Sequence, residues 1–238
     1  MLRMEEITKY YTRRHQQTTG LQEVSLDIPK GDFVAIVGPS GSGKSTLLLM
    51  LGGMLSPSSG RVFVDNQSIY DLTTNERADV RQQKIGFVFQ TFNLVPYLTA
   101  MENVQVPLFL ARMPEAQQKE SAVRLLTRVG LGDRLDHKPS EMSVGQQQRV
   151  ALARMLANDP KIILADEPTG NLDPETGKHV MDFFGEMNRE GRTIVMVTHD
   201  MRAAAKAKRT VRIVDGMIHT DSNQAEDEPL LEPALAAF

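Results

Sequence analysis

Apolar and polar positions alternate along the chain in a way that predicts a mixed α/β fold. Three continuous apolar runs are typical of strands buried on both faces of a parallel sheet; they lie at 33–37, 161–166 and 193–198. The first 30 residues read as extended segments, with clear alternation from Val24 to Ile28. Asp65-Asn66, between 61–64 and 67–70, and Asp215-Gly216, between 211–214 and 217–219, predict two β-hairpins.

Helical spacing dominates the middle of the chain. From residue 91 to about 157 the strand character disappears, and the predicted helices there cover 103–112, 115–129 and 144–157. Further helices are predicted directly before Gly52, and at 75–84, 175–190 and 201–208. We therefore predict a core formed by residues 1–90 and 158–220, into which a helical subdomain of residues 91–157 is inserted.

Composition narrows the possible classes of protein. With 238 residues, 41% of them hydrophobic, the chain can bury a sizeable core. The net charge of −3 predicts no general attraction to nucleic acid, and the absence of cysteine excludes a disulfide framework and fits a reducing cytoplasm. We expect neither a signal peptide nor a membrane span, because the apolar runs are far shorter than the roughly 20 residues a span needs. Residues 221–238 carry five acidic and no basic side chains, which predicts a disordered acidic tail.

A glycine-rich stretch after residue 37 carries the strongest chemical signal. It matches G-x-x-x-x-G-K-[ST] between an apolar strand and a helix, which is the setting of a phosphate-binding loop. Glycines let successive backbone N–H groups face an anion, and the helix start adds its own unpaired N–H groups. The predicted nucleotide-binding residues are Gly38, Pro39, Ser40, Gly41, Ser42, Gly43, Lys44, Ser45 and Thr46. Lys44 would neutralise the outer phosphates of a nucleoside triphosphate, and Ser45 would offer its hydroxyl to Mg²⁺.

Two acidic residues end the apolar run at 161–166. Asp166 is placed to hold Mg²⁺ or its waters beside the phosphate loop, and Glu167 suits a general base that polarises the attacking water. The alternative is that both acids only cap the next turn. Because Pro168-Thr169-Gly170 already supplies turn chemistry, we favour the functional interpretation.

The segment from Met142 to Arg154 supplies a third pattern. Ser143 and Gln146 have the spacing of a capping box at a helix N-terminus, where an anion can bind. Gly145 permits close backbone approach there. Taken alone, this segment would be interpreted as an ordinary helix start.

Together these motifs resemble the nucleotide-binding subunit of ATP-binding cassette (ABC) transporters, over nearly the whole chain to about residue 220. Ser143–Gln146 is similar to the family's signature motif, 166–169 to its Walker B region and 171–173 to its D-loop. Single residues also match family positions: Gln90 the Q-loop glutamine, His199 the switch histidine, and Tyr11, with Tyr10 as a fallback, the aromatic residue that stacks on adenine.

The resemblance implies an ABC ATPase fold, with a P-loop NTPase (RecA-like) core, an N-terminal antiparallel β subdomain and an inserted helical subdomain. It also implies a head-to-tail homodimer with ATP and Mg²⁺ between the phosphate loop of one copy and the signature helix of the other. In that arrangement the catalytic residues are Lys44, Glu167 and His199, and the metal ligands are Ser45, Gln90 and Asp166. The nucleotide site is completed by Tyr11, Gln90, Ser143, Gly145, Gln146 and Asp173.

Val144 departs from the family pattern, which normally has glycine at this position. A branched side chain there must point away from the phosphates or hinder close backbone approach. Since Ser143 and Gly145 are kept, we expect a working site with altered nucleotide affinity.

Three longer stretches resemble the lipoprotein-release and macrolide-export ATPases and the division-associated type; they are 89–96, 98–104 and 165–173. The resemblance implies an ATPase coupled to transport, on the cytoplasmic face of the inner or plasma membrane. Because the chain ends without spans, we expect the integral-membrane permease to be a separate polypeptide that docks on 92–110. This group also admits a periplasmic adaptor as a partner.

Three other functions can accompany a phosphate loop. DNA-acting ABC ATPases divide their halves with a long coiled coil, whereas only about a hundred residues separate Gly38 from Ser143 here, without a heptad run. A soluble phosphate-loop kinase would leave the signature and D-loop patterns unexplained. A division-type ATPase that regulates a membrane partner without transport stays open, because the ATPase chain alone does not discriminate it.

Overall fold

The computed structural model describes residues 1–13 and 16–222, so that 223–238 of the predicted acidic tail lie outside the described residues. The strands are β1 (Leu2–Arg13), β2 (Gln16–Ile28), β3 (Phe33–Val37), β4 (Ser59–Val64), β5 (Gln67–Ser68), β6 (Ile85–Val88), β7 (Ile162–Asp166), β8 (Thr193–Val197), β9 (Arg209–Val214) and β10 (Met217–Asp221). The α-helices are α1 (Lys44–Leu51), α2 (Thr74–Lys84), α3 (Ala100–Leu110), α4 (Glu115–Arg128), α5 (Val144–Met155), α6 (Pro174–Arg189) and α7 (Met201–Ala204), and a 3₁₀ turn covers Pro139–Glu141.

The strands form two sheets. The larger has the order β10-β9-β3-β8-β7-β6, with parallel pairing from β9 through to β6 and an antiparallel β10 at its edge. The smaller sheet, with the order β2-β1-β4-β5, is antiparallel throughout. This is the predicted α/β architecture with an N-terminal antiparallel β layer.

The two faces of the larger sheet bury two separate apolar cores. On β3, Val34 and Ile36 face the core shared with the smaller sheet and α1, whereas Phe33, Ala35 and Val37 face the core shared with the helices. Successive side chains of a strand point to opposite faces, so a continuous apolar run is required where both faces are covered. The carboxyl ends of these strands consequently emerge at one edge, where the loops that follow them can meet.

The helices α3, α4 and α5 lie between β6 and β7 along the chain and pack on one another. Helix α5 also contacts β6, which ties this helical layer to the larger sheet. The capping box predicted at Ser143 and Gln146 is confirmed, and the same motif starts α2 at Thr73 and α3 at Thr99. The division of the chain at residues 91 and 157 stays a prediction.

Three local predictions need correction. The helix expected at 201–208 is only the four residues of α7, because the chain must turn to enter β9, where the Lys208 N–H already donates to the Phe33 carbonyl. The second strand of the first hairpin stops at Ser68 rather than Tyr70, whose hydroxyl donates to the Met50 carbonyl. Asp221, placed in the tail from the sequence, ends β10 because its carboxylate is buried against Arg209.

Candidate nucleotide-binding site

The phosphate loop connects β3 to α1 at the carboxyl edge of the larger sheet. Gly43 has φ of 100°, and a Cβ atom there would lie 2.3 Å from the Gly20 carbonyl oxygen. A Cβ at Gly38 would lie 2.0 Å from the carbonyl oxygen of Ile213. Both positions therefore require glycine, which lets the backbone curl tightly enough to present its N–H groups.

The interior of this loop is polar and suited to an anion. The Lys44 ammonium is buried there and donates to the carbonyl oxygens of Gly38 (2.9 Å) and Pro39 (2.8 Å). The buried Ser42 hydroxyl has no hydrogen-bond partner within the described part of the chain. Since Gly43 precedes α1 without a side-chain cap, the first N–H groups of this helix are left for a ligand. These features fit the phosphate groups of a nucleotide.

Ser45 and Asp166, which are 121 positions apart in sequence, meet at the mouth of the loop. The Ser45 hydroxyl donates to Asp166 Oδ1 over 3.0 Å. Burial raises the pKa of the Asp166 carboxyl, and the neighbouring Glu167 charge raises it further, while the Ser45 hydrogen bond and the Lys44 charge oppose this. A hydroxyl and a carboxylate are oxygen donors of the kind that Mg²⁺ prefers. No group of three or more His, Cys, Asp or Glu within 1–13 and 16–222 forms an alternative metal centre.

Glu167 and His199 form the next pair along this edge. Glu167 lies in the left-handed region with φ of 45°, and its N–H donates to the Val197 carbonyl over 2.9 Å. One carboxylate oxygen is 2.8 Å from His199 Nδ1, and the other accepts the His199 backbone N–H at 3.3 Å. The Glu167 side chain is 15% exposed and that of His199 is 69% exposed. The pair therefore presents a shielded carboxylate next to an accessible imidazole.

Gln90 follows β6 and lies against the turn after Glu167. Its carbonyl oxygen accepts from the Asn171 amide at 3.0 Å. A Cβ at Gly170 would lie only 3.0 Å from Gln90 Nε2, so the absence of a side chain at 170 allows this approach. The structure thus brings Gln90 close to the Walker B segment, although no contact defines its role toward a metal.

Tyr11 reaches the phosphate loop from the smaller sheet. Its hydroxyl lies 3.0 Å from Thr46 Oγ1, and the Lys9 ammonium lies 5.5 Å from the centre of its ring. A Cβ at Gly20 would lie 2.6 Å from the Tyr11 ring, so glycine leaves room for the ring beside α1. Adenine stacking on Tyr11 stays a prediction.

The residues that resemble the signature motif, Ser143–Gln146, lie apart from the phosphate loop. Ser143 and Gln146 satisfy each other through the capping box, with N–O distances of 3.2 and 2.9 Å, and Gly145 faces Thr176 of α6. Ser143 and Gly145 line a groove of about 590 Å³ together with Asp173. Among the hydrogen bonds and ion pairs of residues 1–13 and 16–222, none joins this signature group to the phosphate loop.

Asp173 and Val144 have clear local roles in this groove. The Asp173 carboxylate caps α6, and the hydrogen bonds from Thr176 lower its pKa. Val144 is half exposed and begins α5 without a left-handed backbone. The backbone of α5 therefore does not require glycine at position 144.

Sequence reasoning missed two polar side chains of α5 that reach the loops of this site, Gln148 and Arg154. Gln148 donates to the Pro168 carbonyl at 3.0 Å, and Arg154 donates to the carbonyls of Phe92 and Asn93. The available signal was an arginine within the apolar run Ala151–Leu156. A charged side chain at such a position needs buried partners, but the sequence does not say which.

A phosphate loop with a neighbouring Asp-Glu pair at the carboxyl edge of a parallel sheet defines a phosphate-loop nucleoside triphosphatase. The ABC transporter family model matches residues 21–170. An uncharacterized ABC transporter ATP-binding protein of Thermotoga maritima is 46% identical over 92% of this chain and 93% of its own length. The macrolide export ATP-binding/permease protein MacB of Syntrophobacter fumaroxidans is 47% identical over the whole chain, which spans only 34% of that relative.

A solved structure agrees with these relatives. It is a dimeric post-hydrolysis state of the ATP-binding cassette MJ0796 bound to ADP and Pi, with a TM-score of 0.87 and 42% identity over 93% of this chain and 97% of the other. The chain belongs to the ABC transporter family. It is an ATP-binding subunit of the type found in the macrolide-export proteins, and its reaction is ATP hydrolysis.

Proposed function

We propose that this ATPase works as a head-to-tail pair of identical copies that drives export through a membrane permease. The observation that carries the proposal is the separation of the two motif groups within one chain. Lys44, Ser45 and Asp166 meet at the phosphate loop, whereas Ser143 and Gly145 line a groove beside α6. A twofold pairing would bring the second group of one copy to the first group of the other.

The residues around the phosphate loop have different roles in hydrolysis. Lys44 and the N–H groups of α1 hold the triphosphate, and Glu167 takes a proton from the attacking water. His199 holds Glu167 in place through its hydrogen bond and offers its exposed ring to the γ-phosphate. Ser143 and Gly145 of the second copy add the N-terminus of α5 on the opposite side of the phosphates.

Ser45, Asp166 and Gln90 would hold Mg²⁺, which when bound neutralises charge on the phosphates. The Ser45–Asp166 hydrogen bond supports this assignment, because it places two oxygen donors together at the mouth of the loop. Tyr11 would stack on the adenine, and Asp173 would approach the nucleotide from the groove side.

The permease would dock on residues 92–110. Tyr97, Phe109 and Leu110 are each more than 60% exposed, which leaves large apolar side chains available to a partner. The loop that carries Tyr97 is rigid, because the buried Asn103 amide bonds the backbone of Val95, Leu98 and Thr99. A rigid apolar surface suits a protein partner better than a mobile surface does, because less conformational entropy is lost on binding.

We place the protein on the cytoplasmic face of the membrane, with an integral-membrane permease and a periplasmic adaptor as partners. No helix within 1–13 and 16–222 is both long and apolar enough to cross a bilayer. The relatives named above carry transport names, which favours transport over regulation of a membrane partner without cargo. The transported cargo would be set by the permease.

Replacing Glu167 by Gln tests the proposal. The variant should bind ATP, lose hydrolysis by about 10²-fold or more because the proton acceptor is gone, and accumulate as an ATP-dependent dimer in gel filtration. Glu115→Gln, an exposed position at the start of α4, is the matched control and should hydrolyse ATP without trapping a dimer. Rapid hydrolysis by Glu167→Gln, or a monomer in saturating ATP, would refute the proposal.

A further inference from the structure

We propose that helix α5 transmits a displacement at Ser143 to the catalytic loops of its own subunit through Gln148 and Arg154. This inference rests on the proposed function, since Ser143 must meet the nucleotide held by a second copy. Gln148 and Arg154 are positioning residues in this scheme. Neither touches the phosphate loop.

Arg154 holds the loop that carries Gln90. Its Nη2 donates to the Phe92 carbonyl and its Nη1 to the Asn93 carbonyl, each over 2.6 Å. Phe92 and Asn93 both adopt left-handed backbone conformations, with φ of 58° and 50°. Two consecutive left-handed residues other than glycine cost free energy, so an external clamp is expected to maintain them. A fork of two parallel N–H groups suits this task, and a lysine could not reproduce it.

No acidic partner in the described part of the chain explains the position of Arg154. Within 1–13 and 16–222, no carboxylate lies within 4.0 Å of its guanidinium. Burial lowers the pKa of Arg154 from its usual value, as desolvation of an uncompensated cation does. Its hydrogen bonds go instead to the Gln90 loop, and they are kept although desolvation of the guanidinium is unfavourable.

Gln148 makes the second connection, to the turn that follows Glu167. The side chain is fully buried, and its Nε2 donates to the Pro168 carbonyl over 3.0 Å. Its Oε1 has no hydrogen-bond partner within the described residues. A buried amide with one unsatisfied oxygen is costly and is retained where the remaining bond has a use. This bond fixes the residue directly after the general base.

Both connections belong to one rigid element. Helix α5 has 12 residues and therefore spans about 18 Å, with Ser143 as its N-cap and Arg154 in its last turn. A displacement at Ser143 would move Gln148 and Arg154 with it, because all three residues belong to one helix. The hydrogen bonds of Gln148 and Arg154 would pass this movement to the loops that they hold. ATP held by one copy would thus set the position of Gln90 and Glu167 in the other. The two ATP sites would then hydrolyse cooperatively.

Arg154→Lys is the test variant, because it keeps the charge and loses the fork. Arg81→Lys is the matched control, since Arg81 also donates from a helix to a backbone carbonyl, that of Gly53. We expect kcat of Arg154→Lys to fall about 10- to 100-fold and the Hill coefficient for ATP to fall toward 1. Nucleotide affinity of the monomer should stay unchanged, and the Tm should shift no more than in Arg81→Lys. A merely structural arginine would lower the Tm without changing cooperativity.

The outcomes separate this inference from the proposed function. If Glu167→Gln forms the ATP-dependent dimer and Arg154→Lys keeps the wild-type kcat and Hill coefficient, the coupling role of α5 is refuted and the proposed function stands. A loss of kcat only in proportion to a lower Tm would also refute it. If Glu167→Gln forms no dimer, the proposed function and this inference fall together. Gln148→Leu, which cannot donate to Pro168, should reproduce the loss of cooperativity.

Discussion

Replacing Gly43 by alanine should destabilise the protein far more than the same change at Gly41, three residues before Lys44. Both glycines have left-handed backbones, with φ of 100° and 80°. An added Cβ at Gly41 meets nothing within 4 Å, whereas at Gly43 it would lie 2.3 Å from the Gly20 carbonyl oxygen and 2.8 Å from Leu21 Cδ2. The two variants therefore share a conformational cost, and only Gly43→Ala adds a steric one.

The magnitudes follow from these contacts. An L-residue in the left-handed region costs about 1–2 kcal/mol, which is the whole effect expected for Gly41→Ala. Relief of the overlap at Gly43 requires β2 to shift, which adds about 1–3 kcal/mol. Since ~1 kcal/mol corresponds to ~2–4 °C in Tm for a chain of this size, the two variants should differ by about 2–12 °C.

Urea unfolding followed by circular dichroism measures both free energies of unfolding, with the m-value as a check that the unfolded states match. Calorimetry of the same two variants gives the difference in Tm. Equal stabilities for Gly41→Ala and Gly43→Ala would refute the reasoning, because the close approach of Gly20 to the phosphate loop would then carry no energetic weight.

Two further predictions concern charge and docking. Asp166→Asn should raise the free energy of unfolding at pH 8 while abolishing hydrolysis, because burial and the Glu167 charge raise the pKa of this carboxyl. The gain in stability should vanish below about pH 4, where the carboxyl is protonated in both the folded and the unfolded state. A variant less stable than the wild type in urea titrations at pH 8 would contradict the argument. Since the chain has no cysteine, Tyr97→Cys provides a unique thiol that should crosslink to an integral-membrane protein in native membranes, whereas His219→Cys on β10 should not; equal labelling from both would argue against docking at 92–110.

Three strands of the larger sheet, β3, β7 and β8, were predictable because each is a short apolar run covered on both faces. The hairpin turns and the capping box at Ser143 were predictable for a similar reason, since turn and cap chemistry acts within four residues. The helix expected at 201–208 shows the limit of local spacing. Its end is set by the entry into β9, a contact with Phe33 that lies 175 positions away in sequence.

The phosphate loop could be identified from the sequence, because its glycines, Lys44 and Ser45 lie in one continuous turn whose chemistry is local. Which residues this turn meets depends on the tertiary fold. Strand order brings Asp166 to Ser45, sets Glu167 against His199, and directs Arg154 from the signature helix onto the Gln90 loop. Such pairings depend on which strands and helices become neighbours, and this is settled by burial of two apolar cores rather than by local pattern.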